Sequence, residues 1–347
     1  MTGSPPSRET MLQTIDRMAG LPLLVIADLV LDEFEYGEIG RISREAPVLI
    51  LNHRTTDRRP GGGANAVNNL RALDGAPRVV GRVGQDEPGD HLLALFRELS
   101  IDTTGIWRDA TYQTPVKRRI LAGSPHSVRQ QIVRIDRGGG PPVPVNGSPF
   151  LDQTRRLAPG VRGVLISDYD LGLIHAGTVP PLTEALRSAG AGRLLVDSRS
   201  HLALFRGLTA ATPNLHEAEA ALGEAFGADP ESLRRGGDAL RRRLDAEALV
   251  VTRGSQGMTL FERSCPPASV PVYGTDEVAD VTGAGDTVIS VFALAVVSGS
   301  GFREAAMLAN YAGGIVVMKR GTATVSRDEL RHAVRTDAGF DRRLQTE

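Results

Sequence analysis

A chain of 347 residues, 41% hydrophobic and 23% charged, has the balance of a globular protein long enough to bury a substantial core. Its 40 Lys and Arg against 41 Asp and Glu leave a net charge of −1, which offers no field for nucleic acid or an acidic membrane surface. The single cysteine, Cys265, excludes an internal disulfide and a cysteine-based metal cluster. No apolar run approaches the ~20 residues of a membrane span, so a soluble, cytoplasmic protein is expected.

Residues 1–20 carry Arg8, Glu9, Asp16 and Arg17 without the apolar centre of a signal peptide, and read as an N-terminal extension. From there short apolar, β-rich runs alternate with helical stretches. Strands are expected at Leu23–Ala27, Arg78–Gly81, Val164–Ser167, Leu194–Asp197 and Leu249–Thr252. Helices are expected at Gly63–Leu73, Gly89–Leu99, Thr178–Ala189, Pro230–Leu244, Gly285–Ser298 and Arg303–Val317. This alternation predicts an α/β fold, a mostly parallel sheet covered on both faces. Phe34–Asn52 and Pro115–Asp136 break the rhythm, being extended, of mixed polarity and too polar for central strands. They predict a small second sheet, with segments at about 34–53 and 115–136, that covers a cleft as a lid. Residues 137–149 read as a linker back to the main domain, which ends near 335, and 336–347 as a polar, frayed tail.

The chemistry is concentrated in Asp280-Val-Thr-Gly-Ala-Gly-Asp286, which leads into an apolar helix. Gly283, Ala284 and Gly285 let a phosphate approach the backbone, and they lie at a helix start. There free N–H groups and the positive end of the helix dipole attract an anion. Such donors stabilise the charge spread over a transferring phosphoryl group. Asp286 closes the loop and can accept the proton of an attacking hydroxyl; the structural alternative is a helix N-cap. No Walker A run and no protein-kinase catalytic loop is present, and none of the 7 histidines has metal-ligand spacing. A dinucleotide fold would need Gly-x-Gly-x-x-Gly after the first strand, where Ala27-Asp-Leu-Val-Leu-Asp32 stands instead.

This seven-residue run resembles the C-terminal motif of the PfkB (ribokinase-like) carbohydrate kinases. A matching N-terminal motif, Pro60-Gly-Gly-Gly-Ala-Asn65 followed by Gly81-Arg-Val-Gly-Gln-Asp86, extends the resemblance over most of the chain. The resemblance implies a three-layer α/β/α ribokinase-like fold with a β-sheet lid. It implies transfer of the γ-phosphoryl of ATP to a sugar hydroxyl, with Mg²⁺ and room for a monovalent cation. Asp286 is then the general base, and Gly283, Ala284, Gly285 and Asp286 frame the anion hole. Sugar contacts are implied at Asp28, Asp32, Gly61, Gly62, Gly63, Asn65 and Asp168. Asn214-Leu-His-Glu217 is similar to the Asn-x-x-Glu element that organises magnesium through water at Glu217. Thr252, Gly254, Gly257, Asn310 and Gly313 would face the nucleotide. A homodimer through the lid sheets is expected.

Within the family, Asp28-Leu-Val-Leu-Asp32, Gly40-Arg-Ile-Ser-Arg-Glu-Ala-Pro47, Ser167-Asp-Tyr169 and Gly321-Thr-Ala-Thr-Val-Ser326 resemble the D-glycero-β-D-manno-heptose-7-phosphate kinases. That branch implies phosphorylation of the anomeric C1 hydroxyl of a heptose 7-phosphate. A phosphorylated substrate needs cations at the far end of its pocket. Arg41, Lys117, Arg119 and Arg134 are the candidates, Lys117 being one of only two lysines, with Lys319. Two positions depart from the branch: Leu171 stands where a lysine is expected, and Asp197-Ser-Arg-Ser200 where Asp-Pro-Lys-Gly is expected. These departures leave open another sugar or sugar phosphate, such as fructose, ribose, fructose phosphate or a different heptose phosphate. A non-catalytic regulatory protein on the same fold is the more distant alternative.

Overall fold

The computed structural model of the protein describes residues 6–123, 130–226, 229–274 and 279–340. The strands in chain order are β1 (Pro22–Ala27), β2 (Leu29–Ile42), β3 (Leu49–Gly62), β4 (Ala76–Gly84), β5 (Ile106–Asp109), β6 (Gln113–Gly123) and β7 (Gln130–Gly139). They continue with β8 (Gly163–Asp168), β9 (Arg193–Ser198), β10 (Ala210–Ala211), β11 (Ala248–Thr252), β12 (Met258–Glu262) and β13 (Ala268–Val270). Among the described residues they form a 9-stranded sheet ordered β13-β12-β11-β10-β9-β8-β1-β4-β5 and a 4-stranded sheet ordered β3-β2-β6-β7. The large sheet is parallel from β11 through β5 and turns antiparallel only at β12 and β13.

The period-2 geometry of β1 shows why the large sheet sits in the middle of the molecule. Leu23, Val25 and Ala27 point into one apolar cluster, Leu24 and Ile26 into another on the opposite face. The helices, again in chain order, are α1 (Arg8–Arg17), α2 (Gly63–Ala72), α3 (Glu87–Glu98), α4 (Pro149–Leu157) and α5 (Val179–Ser188). The rest are α6 (Leu215–Leu222), α7 (Pro230–Arg243), α8 (Ala284–Val297), α9 (Phe302–Val316) and α10 (Arg327–Thr336). Helices α1, α2, α3, α8, α9 and α10 supply the first cluster, and α4 to α7 the second, giving three layers. Helix α8 is buried on every side from Asp286 to Val297, as its unbroken apolar sequence requires.

The five expected strands correspond to β1, β4, β8, β9 and β11. The short β5, β10, β12 and β13 were not anticipated, because strands of two to five residues carry little periodicity. The lid strands begin earlier and end later than expected, at Leu29 and at Gly62. Leu29 to Phe34 are buried at the root of the lid, so their sequence reads as core. The lid therefore runs without a break into the glycine motif that opens α2.

Both ends of the described chain are packed more closely than the sequence suggests. In the N-terminal extension, Met11 and Ile15 of α1 join the core, and Arg8 donates to Val334 O at 2.6 Å and to Asp337 O at 2.5 Å. The tail expected to fray after 335 stays packed as far as Phe340, 3% exposed with the Arg8 guanidinium 4.5 Å from its ring centre. Residues 341–347 lie outside the described chain.

Candidate active site

The cleft lies where the parallel strands end at their C-termini, the edge at which α/β sheets collect their ligands. Asp28 follows β1, Asp168 ends β8, Asp197 lies near the end of β9 and Thr252 ends β11. Helix α8 points its N-terminus at this edge. Its N-cap, Gly283, has φ 78° and offers no side-chain cap, so Asp286 stands at the third helical position and does not serve as the N-cap. Ala284 N donates to Val281 O, whereas the amides of Gly283, Gly285 and Asp286 have no partner among the described residues. A Cβ on Gly285 would meet nothing within 4 Å, so open space lies directly over the free amides. Ala284, expected to help frame an anion hole, thus has its amide engaged, which leaves three amides at the helix start to attract an anion.

Asp286 is 3% exposed and fully hydrogen-bonded at both oxygens. Asn65 Nδ2 donates to Oδ2 at 2.9 Å and the Tyr169 hydroxyl donates to Oδ1 at 2.7 Å. Burial pushes its pKa up to about 6, and the nearby Asp32 charge adds to this; Asn65, Tyr169 and Lys117 pull the other way. A carboxylate poised there is ionised at neutral pH yet basic enough to take a proton.

The glycine run beside Asn65 answers to a packing constraint of the chain itself. A Cβ on Gly61 would lie 2.5 Å from the Asp32 carboxyl carbon, one on Gly62 2.7 Å from Val30, and one on Gly63 2.7 Å from Ala27. The space over these glycines is filled by the chain itself, where the lid root crosses β1 on its way into α2. The run is therefore required by this crossing.

Two expected sugar ligands are engaged internally. Asp28 Oδ2 accepts from Tyr169 N at 2.8 Å and Leu171 N at 3.1 Å, and so fixes the loop after β8. Burial and then the Asp168 charge push Asp28 up to about 7, against the two amide hydrogen bonds. Asp168 Oδ2 accepts from Ser198 Oγ at 2.5 Å and His201 Nδ1 at 3.0 Å, and Oδ1 from Asp170 N at 3.0 Å. It joins the loops after β8 and β9. The first of those loops begins with Tyr169, with Lys117 Nζ 4.8 Å and the Arg199 guanidinium 4.3 Å from its ring centre. Tyr169 was visible in the sequence only as part of a branch motif, and Arg199 only as a replacement for lysine. The sequence carried no sign that they meet.

Of the four expected cations, Lys117 stands against the Tyr169 ring with no carboxylate ion pair among the described residues. Lys117 is lowered by burial and by Arg199, with Asp32, Asp136 and Asp286 opposing the shift. Arg119 is committed to a buried ion pair, Nη1 to Asp32 Oδ1 at 2.8 Å, while Thr322 Oγ1 donates to Asp32 Oδ2 at 2.8 Å. Asp32 thus ties the lid to the segment after α9. Arg134 is half exposed and grips both oxygens of Asp136, at 2.9 and 3.0 Å. Arg41 is exposed towards the far end of β2, roughly 30 Å along the strand from Asp32. Within a single chain Arg41 and Arg134 do not reach the cleft floor.

Of the residues expected to serve the nucleotide and its metal, Asn214 and Glu217 form a capping box for α6: Asn214 Oδ1 accepts from Glu217 N, and Glu217 Oε2 accepts from Asn214 N, each at 2.9 Å. Glu217 Oε1 has no hydrogen bond among the described residues. Burial raises the pKa of Glu217. Asp197, which sequence reasoning passed over, is raised well above the carboxylate range by burial, then by the charges of Glu217 and Asp286. Acids that repel one another beside an anion hole suit a hard cation. Among the described residues no three such side chains converge on one metal position. This donor set fits Mg²⁺ held through water and phosphate oxygens. Thr252 bridges to Asn214 at the edge of β11, and Gly254 and Gly257 turn with φ 58° and 77°. Gly257 is compulsory there, since its Cβ would lie 2.2 Å from Val270 O. Asn310 is buried and donates to Pro271 O at 2.8 Å, and Gly313 packs against Val288 where α9 meets α8.

The profile described as pfkB family carbohydrate kinase matches residues 25–132 and 182–329. The chain is 42% identical over 308 residues to the bifunctional protein HldE of Geobacter sulfurreducens, covering 88% of this chain and 61% of that protein. It is 39% identical over 329 residues to the bifunctional protein HldE of Pelobacter propionicus, covering 94% and 66%. The chain thus spans 61% and 66% of the length of these curated relatives. Among solved structures it is similar to Arabidopsis thaliana ribokinase complexed with ribose and ATP, with TM-score 0.71, 19% identity and coverage of 92% and 100%. It is also similar to phosphofructokinase-2 from Escherichia coli in complex with substrates and products, with TM-score 0.72, 19% identity and coverage of 91% and 99%. At that identity the likeness speaks to the fold. The family profile covers most of the chain, and the motifs it rests on frame one cleft: the chain belongs to the PfkB family of carbohydrate kinases.

Proposed function

We propose that the chain transfers the γ-phosphoryl group of ATP to the C1 hydroxyl of a heptose 7-phosphate, giving the 1,7-bisphosphate. The observation that carries the reading is Asp286, buried and held by Asn65 and Tyr169, one turn into a helix at whose start the amides of Gly283, Gly285 and Asp286 have no partner among the described residues. Asp286 accepts the proton of the attacking hydroxyl as its oxygen bonds to the γ-phosphorus. The bond from that phosphorus to the β,γ-bridging oxygen breaks, and ADP leaves. The amides of Gly283, Gly285 and Asp286 stabilise the charge on the transferring group, each well-placed donor contributing roughly 2.7–4 kcal/mol. Mg²⁺, when bound, neutralises charge on the β- and γ-phosphate oxygens. Asp197 and Glu217 would hold it through water, and Thr252, Gly254 and Gly257 lie on the nucleotide side.

The heptose assignment rests on relatives named HldE at 42% and 39% identity and on the branch motifs quoted above. Lys117 and Arg199 are the cations positioned to read a distal phosphate. Leu171 and Ser198-Arg199-Ser200 favour a second reading within the family, a sugar phosphate of different shape. A homodimer through the lids is supported by their open edges at β3 and β7 and by Ile132, Val133 and Ile135, 43%, 43% and 46% exposed on the edge strand. No helix among the described residues is long and apolar enough to cross a membrane.

The test is phosphoryl transfer to a panel of heptose, hexose and pentose phosphates and the corresponding free sugars, with product regiochemistry read by ³¹P NMR. A 1,7-bisphosphate formed from heptose 7-phosphate, with a steep rise in KM for free heptose, supports the assignment. Equal use of the free sugar, or faster transfer to a hexose phosphate, replaces it with the second reading.

A further inference from the structure

Tyr169 is fixed at both ends. Its backbone N–H is held by Asp28 at 2.8 Å, and its hydroxyl donates to Asp286 Oδ1 at 2.7 Å. Its ring is flanked by Lys117 at 4.8 Å and Arg199 at 4.3 Å. Both cations are drawn to the electron-rich face of the ring. The electron density they withdraw makes the phenol a stronger donor to the carboxylate. Burial and the Asp286 charge keep the phenol itself protonated, well above its ordinary range. The donor is therefore present at neutral pH.

The surroundings of Asp286 make that donor consequential. Asn65 faces it from α2, Asp32 from β2, Lys117 from β6 and Asp197 from β9. Arg199, in the loop after β9, stands against the Tyr169 ring. Asp32 and Asp197 favour a proton on Asp286; Lys117, Asn65 and Tyr169 oppose one. We propose that Tyr169 is a positioning residue that keeps Asp286 ionised near neutral pH and turns its carboxylate towards the acceptor hydroxyl. This deepens the kinase reading and rests on it, but its test does not depend on turnover.

The test is a pH titration of protein labelled with [4-¹³C]aspartate, free of nucleotide and sugar, in which Asp286→Asn identifies the Asp286 signal. Wild type is expected to titrate near pH 6, the value set by burial and its partners. In Tyr169→Phe, which keeps the ring and its cations, the midpoint is expected to rise by about one unit, a roughly tenfold tighter hold on the proton. Replacing Tyr169 by 3-fluorotyrosine, a stronger donor, is expected to lower it. The acidic limb of kcat/KM should move with the midpoint in each variant, with activity recovering at high pH. An unmoved midpoint in Tyr169→Phe overturns the proposal and leaves the kinase reading standing. A moved midpoint in a protein that phosphorylates no sugar on the panel supports the coupling and overturns the kinase reading. A uniform loss of activity at all pH values, with the midpoint fixed, reduces Tyr169 to a packing role.

Discussion

Asn65 Nδ2 donates to Asp286 Oδ2 at 2.9 Å, joining residues 221 positions apart in the chain. The amide cannot turn freely, because Asn69 Nδ2 donates to Asn65 Oδ1 at 3.2 Å and Asn69 Oδ1 accepts from Thr287 Oγ1 at 3.0 Å. Helices α2 and α8 thus hold the N–H of Asn65 on the carboxylate. Asn65→Ala removes a bond made to the charged form of Asp286, so its proton is held more tightly. We expect kcat/KM at pH 7 to fall about 10- to 100-fold, with the acidic limb displaced to higher pH. Asn65→Asp places a second acid against Asp286 and should cost more. A pH–rate profile of both variants checks this.

Gly283 and Gly285 stand two residues apart and should respond in opposite ways to alanine. At Gly285 a methyl group meets open space, so Gly285→Ala should fold with unchanged or raised Tm, gaining up to about 1 kcal/mol from helix propensity. The same methyl stands where a phosphate must approach, and kcat should fall roughly 100-fold. At Gly283, φ is 78° and a Cβ would lie 2.5 Å from Asn65 Nδ2. Gly283→Ala should lose about 1–3 kcal/mol of stability as well as activity. Thermal melts paired with kinetics separate the two.

The sequence made the outline of the large sheet and the anion hole legible because both follow local rules. Apolar runs buried on two faces read as strands, and glycines before an apolar helix read as a helix mouth. The side-chain commitments were not legible. Asp28, Asp32 and Asp168 carry the residue type of sugar ligands, yet each accepts hydrogen bonds from partners at least 87 positions away, or from loops joined only by the fold. Arg119, a candidate phosphate reader by sequence, is set against Asp32 by the pairing of β2 with β6, whereas Arg134 is taken up by Asp136 two residues along its own strand. Tyr169 reaches Asp286 across 117 residues, a distance no spacing rule spans.

Asp28 should make the fold pH-sensitive. Its pKa lies near 7 in the folded chain against 3.8 for the free side chain, so the folded protein binds a proton that the unfolded chain has released. Stability from this group is full below about pH 4, falls as pH rises through 7, and is absent above. Asp28→Asn still accepts from the two amides and carries no charge. It should be more stable than wild type at pH 8, with the difference closing towards pH 4. Urea midpoints at the two pH values measure this.

Glu217 serves a cap and, on this account, a metal. Glu217→Gln preserves the capping box, since glutamine also closes it, and stability should change by less than about 0.5 kcal/mol. Half of the acid pair with Asp197 is lost, so the Mg²⁺ concentration for half-maximal activity should rise about tenfold. A Mg²⁺ titration of initial rates, with a parallel melt, distinguishes this from simple loosening of α6.

The central claim is that Asp286 removes the acceptor's proton beside the free amides of α8. Its most direct test is single-turnover transfer from ATP by wild type and Asp286→Asn, with ATP affinity measured on both by calorimetry. The expected result is a fall in the transfer rate of about 10²–10⁴-fold with ATP binding nearly unchanged. Transfer by Asp286→Asn at close to the wild-type rate would contradict it.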